Sequence, residues 1–211
     1  MLSAEDFQIE SRALGIQENS CLVVYDQLGI YSAPRVWWMF KSMGFDNIAV
    51  LNGGLPEWKQ LGFNTVDLLV PYFETGNFTA KPTEKAFVDA QFVLNTLNDN
   101  RHQILDARSN ARFKGEAPEP RKGVKSGHIP TSHSLPYASI LECNKIKSKD
   151  RLKELFQQSN EDQKPMIFSC GTGITACVLA LGAEVSGYKN FKVYDGSWTE
   201  WGSLPDVPIE V

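Results

Sequence analysis

Residues 44–58, GFDNIAVLNGGLPEW, return 143 positions later as GYKNFKVYDGSWTEW at 187–201. The match holds at Gly44/Gly187, Asn47/Asn190, Val50/Val193, Gly53/Gly196, Glu57/Glu200 and Trp58/Trp201. Self-similarity at one fixed offset restricts a chain to folds that use one supersecondary unit twice. The same order of signals precedes each copy. Residues 21–25 (CLVVY) and 165–169 (PMIFS) are short β-rich runs, each followed by a loop. Helical patterns follow over 33–43 and 176–186. Strand, loop, helix and strand in that order imply a parallel α/β sheet, with functional loops at the carboxyl ends of its strands.

The copies are unequal. A linker is expected over 64–85, where Pro71, Gly76 and Pro82 interrupt any periodic pattern. Beyond it come a helix over about 88–97, a strand at 103–107 and a long loop containing Gly115, Pro118, Pro120 and Gly123. Nothing comparable precedes residues 21–25, so the first copy is shorter by roughly 60–80 residues. The expected organisation is a partial repeat over 1–63, the linker, and a complete domain over 86–211. A half-unit of this kind is expected to dock incompletely, leaving a strand edge and apolar surface open.

The chemistry concentrates at 164–176, KPMIFSCGTGITA. A buried strand delivers Cys170 onto a Gly/Thr loop, and an apolar helix follows at once. A thiol in that place meets several backbone N–H groups and the positive end of a helix dipole. Those surroundings favour the nucleophilic thiolate. Spacing alone equally allows a small buried cysteine beside a loop. In the first copy Asp26 falls, within a residue, where Cys170 falls in the second, so one loop is armed and its twin has no thiol. Cys177 lies about two helical turns beyond Cys170 and reads as a packed helix position.

Composition removes other classes. A net charge of −4 argues against a broad nucleic-acid surface. No apolar run reaches the length of a membrane span, and the opening MLSAED does not read as a secretory signal. Four cysteines without paired C-x-x-C spacing suggest neither a disulfide scaffold nor, with only three histidines, a zinc site. An intracellular, thiol-containing chain is expected, with no metal and no organic cofactor.

Several motifs occur together: YSAPRVWWMF at 31–40, DARSNARF at 106–113, EPR at 119–121, GHIP at 127–130, SCGTGITA at 169–176 and YDGSWTEW at 194–201. In this order, across essentially the whole chain, they resemble the two-domain rhodanese-type sulfurtransferases, and among them the 3-mercaptopyruvate sulfurtransferases. The resemblance implies a rhodanese-like parallel five-stranded sheet flanked by helices, with one complete domain and a partial second copy. It implies Cys170 as nucleophile, at the head of a six-residue cradle made with Gly171, Thr172, Gly173, Ile174 and Thr175. It further implies Arg112 and Arg121 as the two arginines that bind a donor carboxylate. Thiosulfate-preferring relatives usually carry basic residues where this chain has Gly171 and Thr172. Mercaptopyruvate enzymes commonly have serine at the position of Thr172. The family's Asp/His pair, thought to work with that hydroxyl, has no counterpart here.

The activity so implied is transfer of sulfur from 3-mercaptopyruvate, through a Cys170 persulfide, to cyanide or a thiol acceptor such as thioredoxin, with release of pyruvate. Thiosulfate:cyanide transfer is the nearest alternative, and a weakly active, persulfide-carrying binding module is another. The expected location is cytoplasmic, or mitochondrial if a native N-terminus lies upstream. Cysteine-dependent phosphatases need an arginine six positions after the cysteine, where this chain has Ala176. Read without the resemblance, Arg112 and Arg121 are solvated members of a charged loop with Lys114, Glu116, Glu119 and Lys122. His128 is expected to brace a turn, Asp106 and Arg108 to tie loops together, and Trp198 and Trp201 to fill core or pocket wall. His133 and Thr131 carry no functional reading.

Overall fold

The chain begins with a helix that the repeat does not announce, α1 (Ala4–Ala13). Its signal is local: the Ser3 hydroxyl accepts the Asp6 N–H (3.1 Å), the Ser-x-x-Asp form of an N-cap. The computed structural model describes residues 1–66, 74–83 and 87–211. After α1 come β1 (Leu22–Val24), α2 (Ala33–Ser42), β2 (Ile48–Val50) and α3 (Gly54–Gln60). α2 starts where expected, with Pro34 in the first turn, where no intrahelical N–H bond is lost. β1 and β2 pair in parallel, Val23 opposite Ala49.

Part of the expected linker is firmly packed. Gly76 donates to the Arg12 carbonyl (2.8 Å) and Phe78 to that of Ile16 (3.1 Å), while Lys81 reaches that of Met43 (2.9 Å). The Phe78 ring joins an edge-on aromatic cluster with Phe7 and Phe45. Pro71 lies outside the described residues.

The second copy opens with β3 (Phe87–Val88), α4 (Ala90–Asp99), β4 (Gln103–Asp106), α5 (Asn110–Phe113) and β5 (His133–Ser134). α4 starts two residues later than the pattern suggests. Residues 87–88 join the sheet, and the Asp89 carboxylate caps the helix through the Phe92 N–H (2.8 Å). A 3-10 turn over Tyr137–Ile140 leads to the hairpin β6 (Leu141–Glu142) and β7 (Lys145–Ile146). Then follow α6 (Lys149–Ser159), β8 (Met166–Ser169), α7 (Ala176–Ser186), β9 (Phe191–Tyr194) and α8 (Ser197–Trp201). The sheet runs β3-β9-β8-β4-β5 and every pair in it is parallel, the five-stranded arrangement that the resemblance implies.

All residues of β4 and β8 are buried, as central strands covered on both faces must be. One face packs Ile104, Ile167 and Tyr194 against Val93, Trp198 and Trp201. The other packs Leu105, Phe168 and Val193 beneath α7 and α6. α7 has almost no exposed side because α2 of the first copy covers its remaining flank. Trp38 of α2 stacks on Phe191 of β9 at 5.2 Å, so one apolar core runs through both copies.

The outer side of the first copy is open. Among the described residues β1 pairs only with β2. Val23, Tyr25, Leu51, Leu55 and Trp58 line a groove of about 660 Å³. The contrast across the repeat is sharp: Trp58 is 37% exposed and its counterpart Trp201 is fully buried.

Candidate active site

Cys170 leaves the C-terminal end of β8, and the loop 170–175 runs directly into α7. The residue is 1% exposed. Its sulfur accepts the Gly173 N–H at 3.1 Å. Gly173 adopts φ +76°, and a Cβ there would lie 2.6 Å from the Asp195 carbonyl oxygen, so only glycine fits without a shift. The start of α8 grips the loop from behind, as Trp198 N–H donates to the Cys170 carbonyl and Thr199 N–H to that of Gly171 (both 2.9 Å). Thr172 is exposed at the rim, and among the described residues its hydroxyl has no hydrogen-bond partner. Ile174 and Thr175 are half-buried where the loop meets the helix.

Sequence reasoning missed Ser197. Its hydroxyl accepts the Cys170 N–H (3.1 Å), donates to the Tyr194 carbonyl (2.9 Å) and lies 3.9 Å from the Cys170 sulfur. The backbone there is left-handed (φ +51°), at a position where the first copy has Gly54 in the same region (φ +56°). A serine in this conformation costs on the order of 1 kcal/mol. The available signal was the Gly-to-Ser difference between the two copies, directly after the shared glycine.

Arg112 lies over the loop, its Nη2 3.1 Å from where a Gly171 Cβ would stand. Glu119 holds the guanidinium side-on, through Nε (3.2 Å) and Nη2 (2.5 Å). That hydrogen bond raises the Arg112 pKa, and the nearby Glu119, Asp106 and Cys170 charges add to the rise, outweighing the opposing effect of burial. The solvated-loop reading fails for Arg112 and for Glu119. The Glu119 side chain is buried and bridges Arg112 to Arg108, whose guanidinium has no exposed surface. Arg108 also donates to Asp106 and to the Gly127 carbonyl (2.8 Å), and it lies 4.4 Å over the Trp198 ring. Arg121 is exposed and forms no ion pair among the described residues. The fold thus sets Arg112 over the loop, while Arg121 forms no hydrogen bond or ion pair with either among the described residues.

The remaining candidates sort by their contacts. Cys177 is fully buried, its thiol donates to the Gly173 carbonyl (3.2 Å), and burial drives its pKa far above the ordinary thiol value. The His128 ring stacks on Phe113 at 3.9 Å, with Nδ1 against the Phe113 carbonyl. Thr131 takes a left-handed backbone (φ +62°), and His133 is exposed. Among the described residues no group of three or more His, Cys, Asp or Glu side chains is placed to hold a metal ion.

The twin loop shows what became of the other cradle. One Asp26 oxygen accepts the N–H groups of Tyr31, Ser32 and Ala33 (2.9–3.0 Å), and the other accepts that of Leu28 (2.8 Å). Burial pushes this carboxyl upward, yet the four backbone bonds outweigh it and hold the pKa below the usual range. The loop still forms an anion cradle and fills it with its own carboxylate. A folded-state pKa below the unfolded one means stability that is present at neutral pH and lost as pH falls through the depressed value. Asp26→Asn should therefore cost about 1–2 kcal/mol at pH 7, a range discounted for partial exposure. Urea melts of the two proteins should converge in acid, and equal stability at neutral pH would refute the cradle.

The comparisons agree with this geometry. The model of the Rhodanese-like domain matches residues 1–61 and 89–204. The chain is 40% identical to thiosulfate/3-mercaptopyruvate sulfurtransferase 1, mitochondrial, of Arabidopsis thaliana, over all of this chain and 62% of that protein. It is 37% identical to the 3-mercaptopyruvate sulfurtransferase of Escherichia coli, over 98% of this chain and 73% of that one. Among solved structures, the Tum1 protein of Saccharomyces cerevisiae superposes with a TM-score of 0.84 at 29% identity, covering 94% of this chain and 71% of its own. The chain therefore spans about three fifths to three quarters of these relatives. A cysteine loop between a buried strand and helix, set in a parallel five-stranded sheet and matched by that model along both copies, places this chain in the rhodanese-like domain family.

Proposed function

We propose that the chain transfers sulfur from 3-mercaptopyruvate to a thiol or cyanide acceptor through a persulfide on Cys170. The observation that carries this reading is a cysteine sulfur held by a loop N–H, with the Arg112 guanidinium over the next residue. The Cys170 thiolate attacks the donor sulfur, forming an S–S bond as the donor's C–S bond breaks. The bonding pair leaves on carbon as the pyruvate enolate, which takes a proton to give pyruvate. An acceptor thiolate then attacks the outer sulfur and regenerates the Cys170 thiolate. The Gly173 N–H faces the charge that develops on sulfur, and the exposed Thr172 hydroxyl is assigned to hydrogen-bond the donor carbonyl or pass the proton.

Arg112 and Arg121 are assigned to the donor carboxylate. Glu119 occupies the Nε edge of Arg112, and Nη1 has no partner among the described residues. Gly171 and Thr172, which stand where thiosulfate-preferring relatives usually carry basic residues, support the keto-acid donor over thiosulfate. The reading needs only reduced thiols, which suits a cytoplasmic or mitochondrial setting. Among the described residues no helix is long and apolar enough to cross a membrane.

Incubation with 3-mercaptopyruvate should add the mass of one sulfur atom to the peptide carrying Cys170 and release one equivalent of pyruvate. Arg121→Ala should lower kcat/KM for 3-mercaptopyruvate by about a hundredfold and for thiosulfate by less than about threefold. Equal losses with both donors would remove the carboxylate role. Sulfur bound without any turnover would favour the persulfide-carrying module.

A further inference from the structure

Gly173 is engaged on both sides of its backbone. Its N–H donates to the Cys170 sulfur (3.1 Å), and its carbonyl accepts the Cys177 thiol and Arg35 Nη1 (both 3.2 Å). Arg35 belongs to the other copy. It sits in the first turn of α2 and crosses into the second unit, where Nη2 pairs with Asp195 Oδ1 (2.5 Å). Its guanidinium also lies 4.6 Å over the Phe87 ring. Three simultaneous anchors use the planar fork and flat face that distinguish arginine from lysine. Together they leave a flexible side chain with one conformation.

A glycine at positive φ has no Cβ to fix its flanking peptides. Here the carbonyl is held from outside, which fixes the Gly173 torsions and with them the direction of its N–H. We propose that Arg35 is a positioning residue for the nucleophile: by holding the Gly173 carbonyl it keeps the Gly173 N–H aimed at the Cys170 sulfur. The first copy, whose own loop is filled by Asp26, thereby serves the chemistry of the second. This role rests on the assignment of Cys170 as nucleophile. The groups facing Cys170 are Arg112 from α5, Cys177 from α7 and the Ser197 hydroxyl from α8. Those facing Arg35 are Asp195, which also pairs with the Met1 ammonium (2.6 Å), and Cys177.

The test is the ionisation of Cys170, read from thiolate ultraviolet absorbance over pH as a difference against Cys170→Ser. Cys21 and Cys143, both exposed, are replaced by serine so that only the site thiols contribute. Arg35→Met should raise the Cys170 midpoint by about half a unit to one unit, making the thiolate about three- to tenfold scarcer near neutral pH. Arg35→Lys should recover part of the shift, because one ammonium can reach Asp195 or the Gly173 carbonyl but not hold both. A purely structural role would lower the melting temperature and leave the midpoint alone. A folded Arg35→Met protein with the wild-type midpoint overturns the proposal. If Arg35→Met does not fold, Arg35→Lys carries the test alone, since it keeps the charge and loses only the fork. A smaller upward shift is then expected, and an unmoved midpoint is equally fatal. No sulfur donor enters this measurement, so a failure of Cys170 to become persulfidated would sink sulfur transfer separately.

Discussion

Cys170→Ser is expected to lower turnover with 3-mercaptopyruvate by at least about a thousandfold, because a hydroxyl is neither ionised near neutral pH nor comparably nucleophilic toward sulfur. The change is nearly isosteric, and the replacement oxygen can still accept the Gly173 N–H that now meets the sulfur. The fold should therefore survive, and the loss should appear in kcat and in the missing persulfide mass, with an unaltered near-ultraviolet circular dichroism spectrum. Cys177 cannot substitute, since burial keeps its thiol protonated. Cys21 and Cys143 are exposed and lie outside the loop. A serine variant that kept a tenth of the activity would place the nucleophile on one of those two.

Arg108→Met should produce the largest loss of stability, about 3–5 kcal/mol, because removing one member of a buried ionic network leaves its partners uncompensated. Arg108 has no exposed side-chain surface and joins Asp106 to Glu119, themselves 2% and 3% exposed. Without it, among the described residues Asp106 keeps only the N–H of residue 108 as a partner, and Glu119 keeps only Arg112. The methionine would also forfeit the guanidinium stacked on Trp198. Urea denaturation measures the cost, and a midpoint within experimental error of wild type would show that the network is not buried in solution. Adding Glu119→Gln to Arg108→Met should return part of the loss, since one stranded carboxylate is neutralised. The same pair of proteins reports on the site: once Glu119 is free to turn, Arg112 loses its fixed approach to Gly171 and the KM for a keto-acid donor should rise.

Much of this architecture is legible from local pattern. The 143-residue offset identifies β2 and β9 as counterparts, and the spacing of apolar residues places α7 over its full observed length, Ala176–Ser186. Helix α7 could be read because its boundaries are a loop and a left-handed Gly187, both local signals. β3 could not, since two residues become a strand only when β9 is there to pair with them. The stretch 74–83 has linker composition, yet Phe78 is held in an aromatic cluster, a contact that exists only because α1 and α2 bring Phe7 and Phe40 to it.

The site divides along the same line. Consecutive residues of the cradle, Cys170 through Thr175, are fixed by chain order, and so is the helix that follows them. What arrives from elsewhere was illegible or misread. Glu119 looked like one charge in a solvated loop, until the fold buried it between two arginines. Ser197 is 27 residues from the cysteine it supports, and Arg35 is 138 residues from the carbonyl it holds. By itself the sequence determined a repeated strand–loop–helix unit, one loop carrying a thiol and its twin carrying Asp26, because those features depend on neighbours in the chain. Only the tertiary structure decided that the two copies share one core, that Arg112 lies over the loop, and that the copy whose loop holds Asp26 reaches the armed loop through Arg35. Burial and charge pairing between distant segments have no period in sequence, and they exist only once the sheet and helices have closed.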